Sequence, residues 1–414
     1  MLESTLHALY ADVPAAKARY EKSMECFCRL YGHARGNNET AIVSAPGRTE
    51  IGGNHTDHQN GLALAAAVDM DVVCVCAKND DDIIRIHSAG FKPATVDLSV
   101  LSVQENEKGT SAGLVRGLAA WFASKGYPVG GFDAYVTSTV PGGSGLSSSA
   151  AFEVAIGNAF KALFCDDAAG RPTPIEIAIA GKYAENVYFG KPCGLLDQIA
   201  SSLGGLIMID FADPTNPRVE NVPIVLTGYE LCITDTKGSH ADLTPEYAAV
   251  PREMGMIAGH FGKRVLREVP PGDFFNDIAA LREYGDRAVL RAMHFFRENE
   301  RVGKQAAALR AGNLEAFFAF TNESGRSSAS LLQNIFPAGA PQSQGVSLAL
   351  ALSDRALDGH GACRVHGGGF AGTIQAYVPL AAKDEYRSRM ERVFGNACCH
   401  FLKIRASGGA KVVA

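Results

Sequence analysis

The stretch that decides the fold is Val140-Pro-Gly-Gly-Ser-Gly-Leu-Ser-Ser-Ser-Ala-Ala151. Before it, Phe132, Ala134 and Val136 alternate as a strand does, and Pro141 ends that run. After it, residues 149–164 are apolar at helical spacing. A strand that passes through a glycine-rich turn into a helix aims the helix's first unpaired N–H groups at whatever lies in the turn. Gly142, Gly143 and Gly145 let the backbone approach phosphate oxygens closely. Ser144 and Leu146 complete the cradle, and Ser147, Ser148 and Ser149 add hydroxyls for phosphate and Mg²⁺. The G-K-[ST] ending of a Walker A loop is absent. Taken alone, the string also fits a structural turn.

Working outward, residues 45–61 read Ala-Pro-Gly-Arg-Thr-Glu-Ile-Gly-Gly-Asn-His-Thr-Asp-His-Gln-Asn-Gly. They place Arg48, His55 and Asp57 in a glycine-punctuated turn behind the apolar run Ala41-Ile42-Val43. A cation, a neutral donor/acceptor and a carboxylate together suit a small polyol. Residues 184–201 carry Glu185 and Asp197, which in isolation are most simply an exposed helix residue and a helix-end surface carboxylate. Residues 363–373, Cys-Arg-Val-His-Gly-Gly-Gly-Phe-Ala-Gly-Thr, form a glycine turn between two expected strands. A phosphate cradle, a polyol loop and a lone carboxylate describe a small-molecule kinase, whose chemistry is mostly positioning and charge stabilisation.

The bulk properties agree. The 414 residues are enough for two domains, and 47% hydrophobic with 20% charged residues is ordinary for a globular protein. A net charge of −5, with no basic run beyond two residues, argues against a nucleic-acid partner. Asp69 and Asp71 interrupt the most apolar run, residues 62–77, which excludes a membrane span there. Ten cysteines without a signal pattern or a Cys-x-x-Cys pair suggest reduced thiols and a cytoplasmic protein. Helices are expected over 14–32, 111–125, 149–164 and 174–188, with a short one after Gly194, and strands within 62–87, 132–140, 205–211 and 229–236. Residues 244–333 are mainly helical. From 344 on, a helix-strand-strand-helix-strand order predicts a compact α+β second domain. The boundary falls near 211–228, where Pro214, Pro217, Pro223 and Gly228 cluster.

Set beside known families, four strings resemble the galactokinase family of the GHMP (galactokinase, homoserine, mevalonate and phosphomevalonate) kinases. Residues 47–61 resemble G-R-x-N-x-I-G-E-H-T-D-Y-N-x-G, matching at Gly47, Arg48, Ile51, Gly52, His55, Thr56, Asp57 and Gly61. They depart at Asn54 and at His58-Gln59. Residues 141–150 resemble the superfamily's ATP loop, residues 184–198 its A-E-N-x-x-x-G-x-x-C-G-x-x-D-Q string, and residues 363–373 its third motif. Leu243 to Arg252 resembles the stretch whose Tyr touches the sugar, here Tyr247.

The resemblance implies an α+β, two-domain fold: a ribosomal-S5-like domain over 1–215, a ferredoxin-like domain with extra helices over 216–414, and a cleft between them. It implies ATP and Mg²⁺ as cofactors, a sugar and a nucleotide as partners, and a monomer or weak homo-oligomer. Asp197 would face the sugar C1 hydroxyl, and Arg48 would stabilise the γ-phosphate. Asn54, His55, Asp57, Gly194 and Tyr247 would hold the sugar, and Ser149 with Glu185 the Mg²⁺. The expected reaction is galactose to galactose 1-phosphate. Because Asn54 replaces the family's Glu, galacturonate, another C6-altered sugar or a pentose stays open, unless Asn54 only braces its loop. A catalytically silent sensor is the remaining alternative, although the Gly/Ser loop, Arg48, Glu185 and Asp197 are all present.

Overall fold

The computed structural model describes residues 2–10, 12–32, 40–143, 145–165, 169–238 and 243–413. Two helices lead, α1 (Leu2–Leu9) and α2 (Val13–Tyr31). α2 begins where the Asp12 carboxylate accepts the Ala15 N–H, and it stops at Gly32, whose φ of 71° favours glycine. The first half continues with β1 (Thr40–Gly52), β2 (Leu62–Lys78), β3 (Ile83–Ser88), β4 (Ala94–Asp97) and α3 (Ser111–Ser124). It ends with β5 (Phe132–Ser138), α4 (Ser148–Phe164), α5 (Pro174–Tyr183), α6 (Leu196–Leu203), β6 (Leu206–Asp210) and β7 (Arg218–Val222). The second half holds β8 (Tyr229–Asp235), α7 (Thr244–His260), α8 (Pro271–Asn276), α9 (Ile278–Leu281), α10 (Asp286–Arg310) and α11 (Leu314–Ser327). It closes with α12 (Gly345–Leu357), β9 (Ala362–Val365), β10 (Thr373–Pro379), α13 (Lys383–Phe394), β11 (Cys399–Leu402) and β12 (Ala410–Val413).

The first sheet is organised round β2. Its order is β12-β1-β2-β5-β3-β4, with β6 also on β2 and β7 on β6. β5 pairs with residues 72–78 of β2 and β6 with residues 62–66, so two strands share its length. Both faces of β2 are covered. Val73, Val75 and Ala77 cluster with Tyr20 and Phe27 of α2, whereas Cys74 and Cys76 fall in the core with Val136, Val154 and Phe160. Two-sided burial accounts for the near-continuous apolar run, which is a strand. All ten cysteines are free. Among the described residues no helix is long and apolar enough to cross a membrane.

The second sheet, β11-β8-β10-β9, is antiparallel and packs on α12 and α13. α7, α8 and α10 form a separate apolar cluster round Met254, Phe274 and Phe295.

Three details differ from expectation. Residues 40–52 are one strand, so Arg48 stands on the sheet and only the residues after Gly52 form the loop. Gly47 is needed there because β1 runs against the phosphate loop: the Arg48 N–H donates to the Leu146 carbonyl at 3.0 Å, and a Cβ at Gly47 would lie 2.8 Å from that oxygen. The expected helix 174–188 stops at Tyr183 and widens into a π turn over Ala184–Phe189. The first sheet also takes in β7 and β12, which lie beyond a division at 215/216. Both are short edge strands, and alternation over four or five residues gives little signal.

The returning chain end is held by a buried charge cluster. Asp71, on β2, is fully buried and meets Arg19, Tyr10, Ser44 and Arg405. Arg405 is buried too, 3.2 Å from Asp71 and 2.7 Å from Ser44 Oγ. Arg405→Ala removes one partner from a buried carboxylate, so the urea unfolding midpoint should fall by the equivalent of about 3 kcal/mol. An unchanged midpoint would mean that Arg19 alone satisfies Asp71.

Candidate active site

Arg48 and Asp197 come together from β1 and the first turn of α6. Arg48 Nε donates to Asp197 Oδ1 at 2.6 Å, and Arg48 Nη1 donates to the Gly145 carbonyl. The other Asp197 oxygen accepts the Ser147 hydroxyl. Ser147 precedes α4 with φ 56°, a left-handed turn that sends its side chain to Asp197. Each carboxylate oxygen retains a lone pair for a further donor. About a third of the Asp197 side chain is exposed and 12% of that of Arg48, so the pair opens onto a cleft.

The loop after β1 is fastened to the second half. His55, at φ 58°, makes its ring contacts at 2.9 Å with the Gly368 carbonyl and at 3.2 Å with His58 Nε2. Burial, reinforced by His55 and His294, lowers His58 to about 4, so it is neutral at pH 7. Asp57 stands beside Gly194: a Cβ there would meet Asp57 Oδ2 at 2.8 Å, so only glycine keeps the space between them. Tyr247, on α7, donates to the Gly369 carbonyl at 2.8 Å and packs edge-on against Phe370. His55, Asp57 and Gly194 are thus grouped, and Tyr247 meets the same glycine hairpin as His55.

Asn54 is a different case. It is fully buried, and its amide nitrogen donates to Glu50 Oε1 at 3.0 Å and to the Gly367 carbonyl at 2.6 Å. Its oxygen accepts from Asn334 Nδ2 at 2.8 Å and from Ser328 Oγ at 3.3 Å. Two donors and two lone pairs are thereby committed to protein, which leaves nothing for a sugar hydroxyl. The geometry supports bracing of the loop in place of the expected sugar contact.

On the phosphate side, Gly143 and Gly145 have φ of 75° and 72°, and Leu146 is buried. Ser144 lies outside the described residues. Gly142, Ser148 and Ser149 border a cleft of about 210 Å³ whose other walls include Leu114, Val136 and Phe152. A polar mouth with an apolar back suits a nucleotide. A larger hollow, about 670 Å³ between Leu243, Glu246, Pro337 and Phe370, contains none of the residues expected for sugar or phosphate.

Glu185 lies on the π turn, 4% exposed, with Lys191 Nζ at 3.1 Å. Gln198 donates both to Glu185 Oε2, at 3.1 Å, and to Glu153 Oε2, at 3.0 Å. Burial and the neighbouring Glu185 hold the Glu153 carboxyl well above the usual range. Glu153 Oε1 is buried without a partner among the described residues. Among the described residues no three His, Cys, Asp or Glu side chains are grouped to hold a metal. Hard oxygen donors that are few in number, beside an orphaned buried oxygen, fit Mg²⁺, which keeps phosphates and waters as its other ligands.

Sequence reasoning missed Glu153, Gln198 and the Glu50–Arg364 pair. Glu153 was accessible in principle, four residues after Ser149 on one helix face. Nothing local announces that Arg364 meets Glu50, at 2.5 Å across 314 residues.

The chain is similar to known proteins. Residues 113–205 match the family described as GHMP kinases N terminal domain, and residues 25–78 match the galactokinase galactose-binding signature. A galactokinase of Glaesserella parasuis serovar 5 is 31% identical over 362 residues, 87% of this chain and 89% of its own. One from Streptomyces coelicolor is 30% identical over 378 residues, 90% and 92% of the two chains. The crystal structure of Lactococcus lactis galactokinase complexed with galactose shares the fold, with a TM-score of 0.82 at 23% identity over 95% of this chain and 100% of that one. A mevalonate kinase follows at a TM-score of 0.62 and 15% identity, over 88% and 98%.

The bracing geometry predicts that Asn54→Glu destabilises the protein instead of retuning it. The new carboxylate would face Glu50 in a buried site, a loss of about 3–5 kcal/mol read by thermal or urea unfolding. An intact midpoint with altered sugar choice would place residue 54 on the sugar.

His294 makes a pH prediction. It is fully buried between Ser327 Oγ (2.8 Å) and the Asn54 carbonyl (2.9 Å), and burial lowers it to about 4. An unfolded His binds its proton near 6.5, so the unfolded state protonates first as pH falls. Stability from this group is complete above about pH 6.5 and declines towards pH 4, by about 3 kcal/mol in all. His294→Asn should flatten that slope between pH 6.5 and 4, and an unchanged slope would show that His294 does not titrate there.

Proposed function

We infer the reaction from kinship as well as geometry: the chain belongs to the galactokinase family of GHMP kinases, and it transfers the γ-phosphoryl group of ATP to the C1 hydroxyl of galactose. One observation carries the assignment of roles. Asp197 is joined on one oxygen to Arg48 of the sugar-side strand and on the other to Ser147 of the phosphate loop. The group that receives the attacking hydroxyl's hydrogen bond is therefore fixed relative to the phosphate to be attacked.

In this reading galactose lies against His55, Asp57, Gly194 and Tyr247, with C1 towards Asp197. Asp57, beside a glycine and partly exposed, accepts ring hydroxyls. Asp197 orients the C1 hydroxyl and takes its proton as the new phosphorus–oxygen bond forms and the bond from the γ-phosphorus to the β–γ bridging oxygen breaks, ADP leaving. Arg48 offsets charge on the transferring group, and the α4 N-terminus at Ser148 and Ser149 faces the phosphates. ATP's base takes the apolar back of the cleft at Leu114 and Val136. Ser149 and Glu185 would hold Mg²⁺, which would supply positive charge against the triphosphate.

Two alternatives lose ground. The amide of Asn54 is spent on protein partners, so that position offers a C6 carboxylate nothing. The Arg48–Asp197–Ser147 contacts are those an enzyme needs, which supports catalysis over silent sensing.

Coupled ADP release should be fastest with galactose among galactose, galacturonate, arabinose and glucose, with phosphorus on C1 by NMR. A different preferred sugar or phosphorylated carbon would refute the assignment. Asp197→Asn should lower turnover about 10²–10⁴-fold while galactose still binds by calorimetry. Near-wild-type turnover would remove Asp197 from the chemical step.

A further inference from the structure

Glu153 has no part in the reaction just described, yet it is fully buried in the first half of the molecule. It follows Ser149 by one helical turn on α4, so the two side chains share a face. Its Oε2 accepts from Gln198 Nε2 at 3.0 Å, and the same nitrogen donates to Glu185 Oε2 at 3.1 Å. One neutral amide thus joins two buried carboxylates. Glu153 Oε1 and Gln198 Oε1 have no partner among the described residues, although both side chains belong to residues at most 1% exposed. A Cβ at Gly181 would stand 2.9 Å from Glu153 Oε2, so the helix behind is kept bare where the carboxylate lies. Lys191 reaches Glu185 from the surface, 63% exposed, through Glu185 Oε1. Two buried carboxyl groups beside orphaned oxygens favour neutralisation, by a proton or by an arriving cation.

We propose that Glu153 and Gln198 are positioning residues for the divalent cation: Gln198 fixes the Glu185 carboxylate, and Glu153 anchors Gln198 and adds the site's second acidic group. The inference rests on the reading of Ser149 and Glu185 as the side chains that hold the ion. Residues that orient a metal's ligands typically matter about 10–100-fold in metal affinity.

The test uses full-length protein with Mn²⁺ as probe, free Mn²⁺ being read by electron paramagnetic resonance in the presence of ADP. ADP affinity is measured separately in EDTA, and unfolding midpoints are recorded. Glu153→Gln keeps the shape of the side chain and removes its acidic group, and Gln198→Met removes the bridge. Each should weaken Mn²⁺ binding about 10–100-fold, with metal-free ADP affinity unchanged. Glu185→Gln is run beside them. If it loses Mn²⁺ affinity while Glu153→Gln and Gln198→Met keep theirs, the positioning role is overturned and the cation site stands. If all three keep theirs, the cation reading falls as well. Parallel loss of Mn²⁺ affinity, metal-free ADP affinity and stability would also overturn the proposal, since it marks a general structural defect. Should Gln198→Met fail to fold, Glu153→Gln decides alone.

Discussion

A guanidinium with no access to water must have its charge and its donors met inside the protein, and Arg364 is such a group. It donates to the carbonyls of Val365 and Ile51, at 3.0 and 3.2 Å, and pairs with Glu50 at 2.5 Å. Glu50 in turn holds Asn54, and Asn54 holds the Gly367 carbonyl and Asn334. Gln375 adds bonds of 3.0 Å to Thr49 Oγ1 and the Glu50 carbonyl, and His366 bridges Thr49 and Thr373. The end of β1 and the β9–β10 hairpin are therefore set against each other by directional contacts. Apolar packing alone would fix their proximity without fixing their register, because it has no preferred direction.

The placement of Arg48 follows from that seam. Its neighbour Thr49 is bonded from two sides, and Arg48 itself lies on a strand and not on a loop. Burial, with Arg48 and Arg364 nearby, keeps His366 well below its usual range, so the bridging ring stays neutral and the seam gains no further positive charge. Phosphoryl transfer depends on groups already in position, and a sheet holds a side chain more closely than a mobile turn does. The hairpin side is constrained as well: Gly367, Gly369 and Phe370 all have left-handed φ, of 62°, 78° and 62°. For Phe370 that conformation is strained, and its burial beside Tyr247 helps hold it.

What could be read from the sequence was local. The strand-turn-helix at 132–164 and most helices show in their spacing, because periodicity reports a buried face directly. The loop after β1, the glycine hairpin and the Asp197 string stood out as candidate sites, since glycines and charged groups at fixed offsets leave few uses. The partners were not legible. Asn54 was read through its chemical difference from a Glu, yet its role is set by Ser328, Asn334 and Gly367, roughly 300 residues away. Ser147 was read as a phosphate hydroxyl, while its observed partner is Asp197, 50 residues on. Edge strands β7 and β12 are too short to announce themselves, and which sheet they join is a property of the finished fold.

The closing of the first sheet by β12 has a consequence for synthesis. Asp71 and Arg405 are 334 residues apart, and β12 is made long after β1 and β2. At ~5–20 residues per second, Asp71 waits about 15–70 s on the ribosome for the arginine that answers it and the strand that covers the edge of β1. During that interval β1 exposes unpaired backbone groups, the feature of a nascent chain that invites pairing with a neighbour. The amino-terminal helices, already synthesised, cover one face of β1 and β2 but not that edge. Folding of the first half is thus tied to how late and how reliably residues 405–413 arrive, so a change there acts on folding more than its distance from Asp197 suggests.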